Sequence, residues 1–187
     1  MKRLVSLMIL GAFLAGAQGT EARERGARKP INEAVPDGIA RLVALPERDG
    51  SDGTIVVPVT IDLQDVTVNE RPAVLGAYVV KVEFDPNKVG YGGVRGGLDP
   101  YFATDPFATN TAKANRDGVV RISSVQTNVL LPIGMVNVAR ITFVEKVQGG
   151  ADSIKLTMES VASALEKDEN GTYLRNLEIN TGKDVHQ

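Results

Sequence analysis
The sequence has no cysteine, no tryptophan and a single histidine, His186. Without cysteine there is no disulfide framework, no thiolate metal site and no thiol nucleophile. One imidazole near the C-terminus leaves a two-His zinc site or a Ser–His–Asp triad without its parts. Aromatics are scarce at 5%, and the absence of Trp removes the usual flat platform for a crystalline polysaccharide. No excess of positive charge exists either, since 21 basic residues face 23 acidic ones. No apolar run reaches the ~20 residues that a membrane span requires.

What is present begins with a leader. Lys2 and Arg3 precede an apolar run from Leu4 to Ala17, and Ala15-Gly16-Ala17 or Ala17-Gln18-Gly19 offers the small residues a signal peptidase inspects. This is the secretory pattern, and residues 1–17 are expected to be removed on export. Two basic residues leave with them, so 21 − 2 = 19 positive charges face 23 negative ones, a net −4. That acidic balance excludes a general pull on phosphates, and nucleic acid is not an expected partner. Once processed, the protein is expected to be secreted, extracellular or periplasmic, and not an integral membrane protein.

Residues 18–37 are polar, mixed in charge and aperiodic, which suits a tether. Residues 38–187 suit one domain. There the apolar period is two, the period of a pleated strand. Strands are expected over Ile39–Leu45, Thr54–Leu63, Leu75–Phe84, Val119–Val125, Val136–Val144 and Ser153–Glu159. In the third, Tyr78, Val80, Val82 and Phe84 face inward, and Ala77, Val79, Lys81 and Glu83 outward. Pro58 cannot donate a ladder hydrogen bond, so its strand is expected at a sheet edge or bulged there. A closing hairpin is expected from Val161–Leu165 and Tyr173–Ile179 around Asn170-Gly171, residues that tolerate positive φ. The rhythm breaks only over Asn87–Gly118, and no helix of useful length is expected. Such a series makes an antiparallel sandwich or barrel.

The run Gly76-Ala77-Tyr78-Val79-Val80-Lys81-Val82-Glu83-Phe84-Asp85-Pro86-Asn87-Lys88-Val89 resembles the strand and exit of a cohesin module. It follows Val57-Pro58-Val59-Thr60-Ile61 and precedes Asp117-Gly118-Val119-Val120-Arg121-Ile122 and the stretch Gly134–Phe143, as in that family. The resemblance spans about residues 38–180 and extends to the wider cohesin and cellulose-binding-module superfamily. It implies an all-β antiparallel sandwich of jelly-roll topology with about nine strands. It also implies a partner, a dockerin-type module held by one exposed sheet face.

The resemblance assigns that face to the strands of Lys81, Glu83, Arg121, Ser123, Arg140, Thr142, Lys155 and Thr157. Together they carry four positive charges and one negative. A solvated outer face whose Lys and Arg resist edge pairing explains the same residues. A second candidate is the Gly-rich stretch from Gly90 to Phe107, whose Tyr91, Tyr101, Phe102 and Phe107 could stack on sugar rings. Its aromatics could equally plug one end of the sandwich. Asp62 with Asp65, or Asp99 with Asp105, could share a calcium ion; otherwise no cofactor or metal is expected. Asn170-Gly171-Thr172 is a glycosylation sequon, meaningful only in a host that uses it. No acid stands in an apolar, pKa-raising context, so no enzyme is expected. The reading is an exported, non-catalytic module that holds a dockerin-like protein in a polysaccharide-degrading or surface assembly. Its rivals are direct carbohydrate binding by the aromatic stretch and a surface or filament subunit pairing through an open edge at Pro58.

Overall fold
The computed structural model describes residues 36–49, 52–68, 70–128, 130–164 and 177–181. The leader, most of the tether, the Asn170-Gly171 turn with its sequon, and His186 lie outside the described residues. The strands are β1 (Pro36–Asp37), β2 (Arg41–Ala44), β3 (Glu47–Asp49), β4 (Thr54–Asp62), β5 (Thr67–Val68), β6 (Arg71–Pro72), β7 (Leu75–Glu83) and β8 (Val89–Gly96). They continue with β9 (Phe107–Ala108), β10 (Val119–Val125), β11 (Met135–Glu145), β12 (Lys155–Ser163) and β13 (Leu177–Glu178). Among the described residues one α-helix, α1 (Thr111–Asp117), interrupts them.

Two antiparallel sheets form the sandwich. One has the order β13-β12-β7-β10-β9, the other β2-β4-β11-β8 with β3 also on β4. A small third sheet, β1-β5-β6, lies at one end of the strand series. Successive long strands switch sheets, from β4 to β7 to β8 and again from β10 to β11 to β12, which is the jelly-roll habit. The alternation read from the sequence is the cause. Val80 and Val82 of β7, Val120 and Ile122 of β10, and Ile55, Val57 and Val59 of β4 are all fully buried in one shared core. Phe84 meets Phe143 edge-on at 5.3 Å, a contact between the two layers, and Tyr78 meets Phe102, in the turn Pro100–Phe102, at 5.6 Å. The Tyr78 hydroxyl crosses the core and donates to the Val138 carbonyl at 3.2 Å.

Four details depart from the sequence reading. First, β4 is an interior strand. Pro58 is tolerated because the strand beside it breaks between β2 and β3, around Leu45-Pro46, and leaves no ladder partner opposite it on that side. An open edge at Pro58 for assembly therefore does not exist. Second, Ser153–Glu159 and Val161–Leu165 are not separate strands. A bulge between Met158 and Ser160 lets β12 run through to Ser163, where it pairs with β13. Third, the Gly-rich stretch opens as β8, paired along its length with β11. Its glycines carry no side-chain alternation to read. Fourth, α1 fills the space before β10. Asn110 caps its start by accepting from the Ala112 N–H, and Gly118 ends it at φ +69°. The Asp117-Gly118 turn is thus a helix stop, and a Cβ at Gly118 would lie 2.6 Å from the Phe84 carbonyl oxygen.

Candidate protein-binding face
The outer face of the β13-β12-β7-β10-β9 sheet follows from its register. Residues directly opposite one another in an antiparallel pair share a face. At the far end of β7, Val119, Glu83 and Lys155 form one row across β10, β7 and β12. Next come Arg121, Lys81 and Thr157. The third row is Phe107, Ser123, Val79 and Ser160. The fourth is Val125, Ala77, Ala162 and Glu178. The first two rows are charged. The last two are small and mostly uncharged, between Phe107, which is 80% exposed, and Val125, at 60%.

The charges on this face neutralise one another. Lys81 Nζ lies 3.1 Å from Glu83 Oε2. Arg121 forks onto Glu159, donating from Nε at 2.9 Å and from a terminal nitrogen at 3.2 Å. The hydrogen bonds that Arg121 donates to Glu159 hold its pKa above the ordinary guanidinium value. Lys155 stands opposite Glu83. Arg121 also accepts order from β9, because its backbone N–H donates to the Thr109 hydroxyl at 3.0 Å. The face is therefore a patterned surface with little net charge.

Six of the residues assigned to the partner face in the sequence reading fall here: Lys81, Glu83, Arg121, Ser123, Lys155 and Thr157. Arg140 and Thr142 do not. They lie on β11, on the outer face of the opposite sheet, where Arg140 pairs with Pro58 and with Arg95. The expected excess of positive charge is thereby divided between two sides of the sandwich. Ala77 and Val79, which the period places outward, line this face as well, together with Val125 and Glu159; the parity that places Arg121 and Ser123 outward also reaches Val125.

The aromatic stretch is dispersed. Tyr91 is buried, with its ring 5.9 Å from Phe143. Phe102 is buried against Tyr78. Burial pushes the Tyr91 hydroxyl pKa up, and that of Tyr78 also. Only Tyr101 and Phe107 are exposed, and Phe107 belongs to the sheet face just described. The proposed calcium pairs are engaged by the protein itself. Asp62 accepts the Gln64 N–H and Asp65 holds Arg41. Asp99 accepts the Tyr101 N–H, and Asp105 takes both the Gly96 N–H and Arg95. Among the described residues no group of three or more His, Asp or Glu side chains is placed to hold a metal. Nor is any helix among them long and apolar enough to cross a membrane.

The chain is similar to cohesin modules. The seventh ScaB type I cohesin of Pseudobacteroides cellulosolvens superposes with a TM-score of 0.49 at 14% identity, covering 76% of this chain and 85% of that one. A type I cohesin–dockerin complex, Coh-OlpA-Doc918 of Clostridium thermocellum, gives 0.47 at 12% identity, covering 76% and 92%. The sixth cohesin of Acetivibrio cellulolyticus scaffoldin B, solved with the Cel5 dockerin, gives 0.47 at 13%, covering 76% and 99%. No family model and no curated protein matches the sequence.

Proposed function
We propose that the protein is an exported, non-catalytic binding module that holds a dockerin-type protein through the outer face of the β13-β12-β7-β10-β9 sheet. The observation that carries this is the exposed Phe107 beside a floor of Ser123, Val79, Ser160, Ala77 and Ala162. Phe107 is 80% exposed on a strand only two residues long, at the rim of a flat, small-residue surface. An exposed aromatic next to a shallow apolar floor is the pattern of a protein-contact anchor, and the charged rows beside it supply orientation. The motif Gly76–Val89, whose first eight residues lie in β7 of this sheet, is what resembles the cohesin family and so suggests the partner class.

The test is titration calorimetry of the purified protein against calcium-loaded dockerin-type modules, with chelated modules as control. Binding is expected only with calcium, because such partners need the ion to fold. Phe107→Ser is expected to weaken it at least ~10-fold, about 1.4 kcal/mol. Equal binding by Phe107→Ser and the native protein would overturn the assignment of this face.

A further inference from the structure
Phe107 anchors the proposed partner face, yet its own strand gives it little support. β9 has two residues and pairs with β10 only through Phe107 with Ser123 and Ala108 with Ile122. An aromatic ring 80% exposed on so short a strand would sample many positions, and fixing it on association would cost affinity.

The segment before it supplies what β9 lacks. The turn Pro100–Phe102 sends the Phe102 ring into the core against Tyr78, and Gly97 donates to the Phe102 carbonyl at 2.9 Å. The chain then folds back over the end of β8, so closely that a Cβ at Gly96 would lie 2.0 Å from the Ala103 carbonyl oxygen. Asp105 closes this return. Its Oδ1 accepts the Gly96 N–H and its Oδ2 accepts from Arg95, both at 2.9 Å. Pro106, between Asp105 and Phe107, is buried. Beyond β9, Thr109 donates its N–H to the Arg121 carbonyl at 3.1 Å and accepts the Arg121 N–H on its hydroxyl at 3.0 Å.

Phe107 is thus held from both sides, by β10 after it and by β8 of the other sheet before it. The two holds differ in kind. Thr109 continues the ladder by one step. Asp105 is a single carboxylate, two residues from the anchor, with both oxygens engaged on β8 in charge-assisted bonds. Those bonds, the one from Gly96 foremost, keep its carboxyl below the ordinary carboxylate pKa. The geometry points to Asp105 as the positioning residue of the partner face: it fixes the β8–β9 connection to Gly96 and Arg95 and so presents Phe107 already placed for contact. This rests on the reading of Phe107 as the anchor. Asp105 acts through the chain, with its own oxygens turned to β8.

A double-mutant cycle read by titration calorimetry against calcium-loaded dockerin-type modules tests this, at a temperature where melts show every variant folded. Asp105→Ala is expected to weaken binding about 3- to 10-fold, the range that immobilising a side chain carries on association. Asp105→Asn, which keeps an acceptor for the Gly96 N–H, should recover most of that loss. In the Phe107→Ser background Asp105→Ala should cost nothing further, because no anchor is left to position. A residue that only stabilises the fold would lower the melting temperature in both backgrounds and leave affinity alone. A second readout needs no partner. The chain has no Trp, so Phe107→Trp carries a sole indole. Its nanosecond anisotropy decay should report a restricted ring, and adding Asp105→Ala should free it. Native affinity in Asp105→Ala, an equal loss in both backgrounds, or an indole no freer without the carboxylate would each overturn the role of Asp105. Phe107→Ser binding like the native protein would instead overturn the partner face on which that role rests.

Discussion

Tyr78 shows how much one side chain can hold. Its ring is packed on Phe102 of the turn Pro100–Phe102, and its hydroxyl reaches the Val138 carbonyl of β11, so its polar contact joins the two sheets while its apolar one holds the turn against them. Burial raises its pKa from the ordinary 10.0, because the phenolate would be stranded away from water. The folded state therefore holds this proton more tightly than the unfolded chain does. Its stabilising contribution is whole below pH 10 and falls as pH rises from there toward the folded-state pKa. Tyr91, shifted the same way, adds to the effect. Denaturant titrations at increasing pH are expected to show stability declining above pH ~10. Tyr78→Phe should be less stable at neutral pH by about 1–3 kcal/mol, the cost of leaving the Val138 carbonyl unpaired. It should also lose less of its stability on the alkaline side. A native protein equally stable at both ends of that range would contradict the argument.

Among elements, β8 and α1 depend on one another. β8 is an edge strand, and an open edge invites pairing with another chain. Here side chains complete it. Asn115 of α1 accepts the Tyr91 N–H at 2.6 Å and donates to the Tyr91 carbonyl at 2.9 Å, as a neighbouring strand would. Asp105 accepts the Gly96 N–H at 2.9 Å further along. Asn115→Ala is expected to cost about 1–3 kcal/mol, since it leaves two part-buried backbone groups unpaired. Thermal melts measure that loss, and light scattering should show faster aggregation on holding near the midpoint. Gly118→Ala tests the other end of α1. The residue would need a left-handed conformation and would press on the Phe84 carbonyl, a loss of about 1–3 kcal/mol.

These elements also show what the sequence could and could not disclose. Strands with branched side chains at every second position, such as β4, β7, β10 and β11, declare both their presence and their inward face. β8 does not, because glycine has no side chain to alternate. α1, at seven residues, is too short to show a helical period, and only its Asn110 and Gly118 caps mark it. Bulges disturb parity locally. At Val138 and Ala139 two consecutive residues are buried, and beyond Met158 the inward positions of β12 shift to Val161 and Ser163. A period of two separates inside from outside and says nothing about which sheet a strand joins. The resemblance groups Arg140 with Arg121, and the period has no means of showing that they stand on opposite sides.

At the scale of the whole molecule, this separation becomes a test. Arg121 is locked to Glu159 on the face proposed to bind a partner. Arg140 stands on the other outer face, opposite Arg95, whose own charge is engaged by Asp105 at 2.9 Å. Reversing Arg121 sets a glutamate against Glu159 and Glu83 in the middle of the proposed contact, so Arg121→Glu should weaken the partner by about 1–3 kcal/mol. Adding Glu159→Arg restores an ion pair in the opposite sense and should recover part of that loss, a coupling that a double-mutant cycle measures. Arg140→Glu lies across the core from the partner and should leave its affinity within about 0.5 kcal/mol of native, while relieving the like-charge opposition with Arg95. The three affinities together report which sheet faces the partner. If Arg140→Glu abolished binding and Arg121→Glu did not, the contact would belong to the β2-β4-β11-β8 side, and Phe107 would be left without a role.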